Sequence, residues 1–152
     1  MRRILLLLSL PLAIASAKAE PIIGPAKVID AATLRVAGQV FRLHGIAVPA
    51  PGDDCPMRGR TIPCGKVAAT ALMDLTAGAK VRCTPRAEAA GATVATCTAG
   101  GYDLSEGMVY TGWARPTAAA PARYREVERG ARKRQRGLWR GDFPAAVHAA
   151  AR

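Results

Sequence analysis

The stretch KVIDAATLRVAGQVFRLHGIAVP, residues 27–49, decides the fold of this chain. Apolar and β-branched residues alternate imperfectly along it, and the pattern breaks at Asp30 and again at Gly38-Gln39. Such breaks are typical of tight turns between short strands. Three consecutive strands are therefore predicted, over residues 22–30, 33–37 and 39–44.

The rest of the chain changes between helical and strand patterns. KVAATALMDLTAG has apolar residues at helical spacing, and Gly78 stands where a helix C′ glycine belongs. AKVRCT and ATVATCT follow as two strands, and residues 50–63 read as loop. DLSEGMVYTG indicates a short helix capped by Asp103, with Glu106 placed as in a capping box. A helix of about four turns is predicted for ARYREVERGARKRQRGLW.

Five short strands with a helix between the third and the fourth are typical of a small closed barrel. The sequence therefore predicts a mainly β fold with helices. The predicted architecture is a five-stranded Greek-key barrel of the oligonucleotide/oligosaccharide-binding (OB) kind, with three α-helices.

The N-terminus reads as a targeting segment. Two arginines precede an apolar run that ends in Ala17-Lys18-Ala19, a small-x-small cleavage pattern. We predict a secretory signal peptide over residues 1–19, an OB domain over 20–143 and a frayed, alanine-rich tail over 144–152. No later segment is apolar enough to span a bilayer, so the expected location is secreted or periplasmic.

Four cysteines remain after this cleavage, and an even number in an exported chain suggests two disulfides. Three pairings are possible. Cys83–Cys97 is favoured because both residues lie near the ends of adjacent predicted strands, and Cys55–Cys64 would then close a Pro- and Gly-rich loop. No CxxC or HxxxH spacing is present, so a zinc site is not expected.

The charge of the chain points toward polyanions. The net charge is +11, and loss of the three basic residues of the signal peptide leaves +8. Such a charge attracts nucleic acid, anionic lipid or an acidic cell-wall polymer, without selecting among them. A monomer is expected.

Five blocks of the sequence, in the same order, resemble the staphylococcal nuclease (thermonuclease) family. The blocks are VIDAATLRV, FRLHGIAVP, PCGKVAATALMDLTAGAKVRC, GGYDLSEGMVYTGWA and YREVERGARKRQRGLW. The resemblance implies the same OB barrel. It also implies the chemistry of a calcium-dependent phosphodiesterase. There, aspartates hold Ca²⁺, a glutamate activates water, and two arginines offset the charge that builds on phosphorus.

Most positions that carry this chemistry are alanine here. Asp30, Thr33 and Arg42 match the family pattern. By the resemblance, two alanines stand at calcium aspartates, one at the glutamate and one at the second arginine: Ala32, Ala47, Ala50 and Ala92 respectively. We therefore expect no catalytic residues beyond these remnants, no metal site and no cofactor. Asp53 and Asp54 leave a relocated Ca²⁺ site open as the alternative.

Basic residues dominate the predicted terminal helix. They are Arg123, Arg125, Arg129, Arg132, Lys133, Arg134, Arg136 and Arg140, against Glu126 and Glu128. The predicted polyanion surface comprises Arg42, Arg125, Arg129, Arg132, Lys133 and Arg136. A merely solvated helix exterior is the alternative. The loop PTAAAP lacks the tyrosines that this family often places there, which argues against a specific nucleotide pocket.

Three functions remain open from the sequence. The leading hypothesis is an exported, catalytically inactive nuclease-like domain that binds nucleic acid or another polyanion. The second is an active Ca²⁺-dependent endonuclease with a rearranged site. The third is a periplasmic protein-interaction module.

Overall fold

The structure, a computed structural model, describes residues 19–89, 91–141 and 143–150. The predicted signal peptide, apart from its last residue, and the end of the predicted tail at 151–152 lie outside these ranges. Within the described ranges, no helix has the length and apolar character that a bilayer crossing needs.

Ten strands are described. They are β1 (Ile22–Asp30), β2 (Thr33–Val36), β3 (Gln39–Leu43), β4 (Ile46–Ala47), β5 (Cys55–Met57), β6 (Arg60–Ile62), β7 (Lys80–Ala89), β8 (Ala92–Ala99), β9 (Tyr102–Asp103) and β10 (Arg115–Pro116). The three predicted N-terminal strands are present, and two of them end one residue earlier than predicted. The tight turn between β2 and β3 is made by Ala37 and Gly38, both in the left-handed region.

The five longest strands close into a barrel, as predicted. Their order is β3-β2-β1-β7-β8, with antiparallel neighbours throughout. A parallel pairing of β3 with β8, in which Phe41 faces Thr93, completes the ring. Side chains inside the ring, such as Leu34, Phe41 and Val81, are fully buried. The core is therefore the barrel interior together with the helices that cover it.

Four α-helices are described rather than the three predicted. They are α1 (Cys64–Thr76), α2 (Leu104–Tyr110), α3 (Ala122–Lys133) and α4 (Ala145–Ala150), with a 3-10 turn at Gly137–Arg140. Asp103 caps α2 as predicted, because its Oδ1 accepts hydrogen bonds from the backbone N–H groups of Ser105 and Glu106. Gly78 follows α1 with φ at +69°, which suits a C′ glycine.

The terminal helix is shorter than predicted. It stops at Lys133, since Gln135 and Gly137 adopt positive φ angles of 50° and 51°. Gly137 packs so closely on Gly112 that a Cβ there would lie 2.4 Å from the Gly112 carbonyl oxygen. The chain therefore turns back after α3, and Arg136 lies in this turn rather than on the helix.

The predicted frayed tail is helical instead, from residue 145 to residue 150. Its Val147 is 1 % exposed and packs in a second apolar cluster with Leu138 and Phe143. Burial of these side chains holds the segment, although its alanine-rich composition suggested otherwise.

Both favoured disulfides are present, Cys55–Cys64 and Cys83–Cys97. Cys83 and Cys97 face each other in the register of β7 and β8. The segment predicted as loop, residues 50–63, contains a small hairpin of β5 and β6, and the first disulfide joins its first residue to the start of α1. The second core cluster packs beneath this hairpin.

Candidate functional site

The three residues that match the family pattern lie side by side at one edge of the barrel. Asp30 of β1 is the register partner of Thr33 on β2, and Thr33 in turn is the partner of Arg42 on β3. Arg42 is exposed, and no hydrogen bond or ion pair holds its guanidinium among the described residues. The barrel therefore brings the three together and leaves the arginine free to bind an anion.

Asp30 shapes its own turn. Its Oδ1 accepts a hydrogen bond of 2.9 Å from the backbone N–H of Ala32, two residues on. This contact is an Asx turn, a common role for aspartate where a strand reverses. The carbonyl oxygen of Ala32 then accepts from the N–H of Leu43, which joins the turn to the end of β3. The presence of an aspartate at position 30 is thus explained by its role in the turn, without a bound metal.

Alanine occupies the other positions of the family pattern. Ala32 is 3 % exposed and Ala47 is 7 % exposed. Ala47 pairs with Arg115 in the short β4–β10 ladder. Ala92 begins β8, two residues before the Val94 that faces Arg42. Small apolar side chains therefore occupy places where the family pattern has charged ones.

Ala50 lies in a loop whose conformation is fixed by its neighbours. Asp53 Oδ2 accepts from the Ala50 N–H at 2.7 Å, and the Asp53 N–H donates back to the Ala50 carbonyl at 2.9 Å. A Cβ on Gly65 would lie 1.8 Å from the Ala50 carbonyl oxygen, so only glycine fits there. The carboxylate of Asp53 is thereby committed to the loop.

Four cations follow one face of α3, and we call them the α3 basic stripe: Arg125, Arg129, Arg132 and Lys133. Their spacing of i, i+4, i+7 and i+8 places them on one side of the helix, and all four are exposed. The opposite side packs inward through Tyr124, Val127 and Ala131. The stripe therefore faces solvent as a continuous row of positive charge.

Two acids of α3 flank the stripe: Glu126 is exposed and forms no ion pair among the described residues, and Glu128 is already paired. Glu128 Oε1 accepts from Arg115 Nε at 2.8 Å, in a partly buried ion pair among the described residues. Arg132 lies 5.3 Å from the Trp139 ring centroid, a cation–π contact that orients its side chain. Glu128 is therefore committed to Arg115, and the four cations of the stripe outnumber Glu126, the carboxylate of α3 that remains beside them.

A second charged network joins α2 to α3. The Tyr124 hydroxyl donates to Asp103 Oδ2 at 2.6 Å, and Arg123 donates to the same oxygen at 2.8 Å. Arg123 also donates to Glu106 at 2.6 Å, and this hydrogen bond is the main cause of its raised pKa. Burial, with the hydrogen bond to Asp103, raises the pKa of the Tyr124 hydroxyl. The predicted return bond from Glu106 to its own helix start is replaced by this ion pair.

Comparison with known proteins places this geometry in a family. The sequence model of the family described as staphylococcal nuclease homologue matches residues 40–141, which are two thirds of the chain. The chain belongs to the staphylococcal nuclease family. A relative is the succinoglycan biosynthesis protein ExoI of Rhizobium meliloti (strain 1021), 34% identical over 128 residues. The alignment covers 80% of this chain and 66% of that protein, so the chain spans slightly less than two thirds of its relative.

The residues of this staphylococcal nuclease homologue do not fit the calcium site that the family implies. Ca²⁺ takes six to eight oxygen ligands, carboxylates prominent among them. Both positions implied for the calcium aspartates are alanine, Ala32 and Ala47, and the nearby carboxylate of Asp30 bonds its own turn. Among the described residues, no group of three or more His, Cys, Asp or Glu side chains could hold a metal ion. The described residues at the barrel edge therefore do not supply the carboxylates that a calcium-assisted step would need.

Arg115, which is half-buried, was not predicted from the sequence to have a structural role. Besides Glu128, Arg115 contacts His148 Nδ1 and lies over the rings of Trp139 and Phe143, at 5.6 and 5.7 Å. It thereby ties α3, α4 and the 3-10 turn to the strand beside Ala47. Nothing in the sequence around GWARP marks this role, because its partners lie 13 to 33 residues away.

Proposed function

We propose that this staphylococcal nuclease homologue is an exported, catalytically inactive protein that binds a polyanion, with single-stranded nucleic acid as the first candidate. The observation that carries the proposal is the α3 basic stripe, an exposed row of four cations. A row of this kind binds phosphates by releasing their counterions, so binding weakens steeply with salt. Arg42, exposed and without a protein partner among the described residues, adds a further cation at the barrel edge.

Inactivity is proposed from the residue types at the barrel edge. Phosphodiester hydrolysis needs groups that activate water and offset charge on phosphorus. Ala32, Ala47, Ala50 and Ala92 supply neither, and loss of a single electrostatic donor costs about 10²–10³ in rate. Export is proposed from the signal-like N-terminus, and the two disulfides support an oxidising compartment.

The test of binding compares two charge-matched variants. In one, the four residues of the α3 basic stripe become Gln. In the control, four exposed cations on the outer face of β1, β2 and β7 become Gln instead: Lys27, Arg35, Lys80 and Arg82. Both variants lose the same net charge, so a difference between them reports position rather than total charge.

Affinity for a single-stranded oligonucleotide is measured by fluorescence anisotropy over a range of salt. Each phosphate contact contributes about 0.7 to the salt slope for single strands, so four contacts contribute about 2.8. This slope corresponds to about a 50-fold loss of affinity between 50 and 200 mM salt. We expect the stripe variant to lose this part of the slope and the control to keep it. Equal losses in both variants would refute the assignment to α3.

The test of inactivity is incubation of the purified protein with DNA or RNA and Ca²⁺. We expect no cleavage. Cleavage that disappears in Arg42→Ala would overturn the proposal and favour the alternative of an active phosphodiesterase with a rearranged site.

A glycan ligand is the second candidate, because the relative named above is a succinoglycan biosynthesis protein. An acidic polysaccharide also presents regularly spaced anions to the stripe. Competition of alginate against the bound oligonucleotide separates the two. Displacement by alginate at a lower charge concentration than by oligonucleotide would favour the glycan.

A further inference from the structure

Two tyrosines stand out on the surface beside α2. Tyr102 is 83% exposed and Tyr110 is 54% exposed, although most aromatic side chains bury their rings. Tyr102 lies in β9 just before α2, and Tyr110 is the last residue of α2. Both line one groove of about 300 Å³, which we call the tyrosine groove. Its other apolar lining comes from Leu75, Gly107 and Val127.

Tyr110 is already half of a stacked pair. The guanidinium carbon of Arg136 lies 3.9 Å from the Tyr110 ring centroid. Arg136 Nη2 also donates to the Tyr110 hydroxyl at 3.0 Å, and Nη1 donates to the Tyr110 carbonyl at 3.3 Å. These contacts hold the guanidinium over one face of the phenol ring, so a base would stack on the outer face of this pair. Nucleic-acid bases stack on both kinds of group.

The charge inside the groove suits a base better than a phosphate. Two acids line the groove, Asp103 and Glu106, and Arg123 forms ion pairs with both. The remaining lining is the tyrosines and apolar groups. A phosphate would meet these carboxylates, whereas an uncharged base would meet rings and aliphatic carbons. The cations that suit phosphates lie on the α3 basic stripe instead.

The stripe and the groove meet at Arg136. The stripe ends at Lys133, the last residue of α3, and the turn that follows carries Arg136 to Tyr110. Gly137 holds this turn in place through its close contact with Gly112. The C-terminal end of the stripe therefore lies three residues along the chain from the stacked pair.

We propose that Tyr110 with Arg136, and Tyr102 across the groove, form a base-stacking subsite for single-stranded nucleic acid. The inference rests on the proposed binding function and adds a second element to it. The stripe holds phosphates, and the groove holds a base. It differs from the expectation drawn from the loop PTAAAP, whose lack of tyrosines argued against a specific nucleotide pocket.

The test uses two oligonucleotides of equal length and charge, an oligothymidylate and its abasic counterpart. Stacking of one base is worth about 5- to 150-fold in affinity. We expect the wild-type protein to bind the thymidylate more tightly than the abasic strand by a factor in this range. Tyr110→Ala and Tyr102→Ala should reduce this ratio, because each removes a ring on which a base stacks and removes no cation of the α3 basic stripe. Both side chains are exposed, so thermal melts should show both variants folded.

The arginine has its own matched pair. Arg136→Lys keeps the charge and removes the planar group, whereas Arg134→Lys makes the same change at an exposed arginine two residues away. We expect the first to lower the thymidylate-to-abasic ratio and the second to leave it unchanged. Equal binding of both oligonucleotides by wild-type protein would overturn the stacking subsite and leave the binding function standing. Failure to bind either strand at low salt would overturn the stacking subsite and, with it, nucleic acid as the ligand of the α3 basic stripe.

Discussion

The hydroxyl of Tyr124 gives the sharpest test of how the helices are joined. Tyr124 is 2% exposed, and its hydroxyl donates to Asp103 Oδ2 at 2.6 Å. Tyr124→Phe removes that donor with almost no change of shape, while Arg123 and two backbone N–H groups remain on the carboxylate. A hydrogen bond to a charged group is worth about 1.5–3 kcal/mol. We expect this loss in the free energy of unfolding at neutral pH, or about 4–12 °C in melting temperature.

The same variant predicts a pH dependence. Burial and Asp103 raise the pKa of Tyr124 in the folded state, so above pH of about 10 the unfolded chain releases this proton while the native state keeps it. The protonated Tyr124 hydroxyl therefore contributes fully to the free energy of unfolding below that pH, and this contribution is lost as the pH rises. Relative to Tyr124→Phe, the wild-type protein should lose about 1.4 kcal/mol per pH unit above 10. Urea unfolding of both proteins from pH 7 to pH 11 measures this. A constant stability difference across that range would refute the reasoning.

Three further perturbations test the disulfide, the tail and the barrel edge. Removal of the second disulfide by Cys83→Ser with Cys97→Ser opens a loop with a sequence separation of 14, and should cost about 3 kcal/mol in urea unfolding; unchanged stability would contradict this. Val147→Asp places a charge in the second apolar cluster and should lower the free energy of unfolding by at least about 2 kcal/mol. If the tail were frayed, the substitution would leave the free energy of unfolding unchanged. Ca²⁺ should leave the wild-type melting temperature unchanged. Ca²⁺ should raise the melting temperature of the double variant Ala32→Asp with Ala47→Asp. At a 100-fold excess over Kd, binding to the folded state adds about 2.7 kcal/mol to the free energy of unfolding.

The barrel could be predicted because its signals are local. The break at Asp30 and the turn at Gly38 fix the first three strands, and Asp103 marks the start of α2 by its own side-chain bonds. Both disulfides were also within reach of the sequence, since Cys83 and Cys97 belong to neighbouring strands. Patterns of two to four residues carry all of this information.

The end of α3 was not predictable in the same way. ARKRQRGLW continues the helical pattern, and what stops the helix is the contact of Gly137 with the carbonyl of Gly112, 25 residues earlier. The helix α4 depends likewise on Val147 finding a place beside Leu138 and Phe143. Contacts between distant segments leave no mark in a local pattern.

One part of the candidate site, the barrel edge, could be predicted from the sequence, whereas the tyrosine groove could not. The residue types at the barrel edge could be compared with the family pattern from the sequence, and the structure adds that Asp30, Thr33 and Arg42 are neighbours in register. The tyrosine groove was missed, because the sequence gives neither the exposure of Tyr110 nor its stacking on Arg136. Tertiary placement, rather than residue type, defines that surface.

The two disulfides also bear on the order in which the chain folds. Each joins cysteines close in sequence, 9 and 14 positions apart, so each loop can close with little entropy loss once its own segment is available. The seam that closes the barrel joins Phe41 of β3 to Thr93 of β8, a contact between distant parts of the chain. We therefore expect the Cys83–Cys97 disulfide to form within the β7–β8 hairpin before the pairing of β3 with β8 closes the ring.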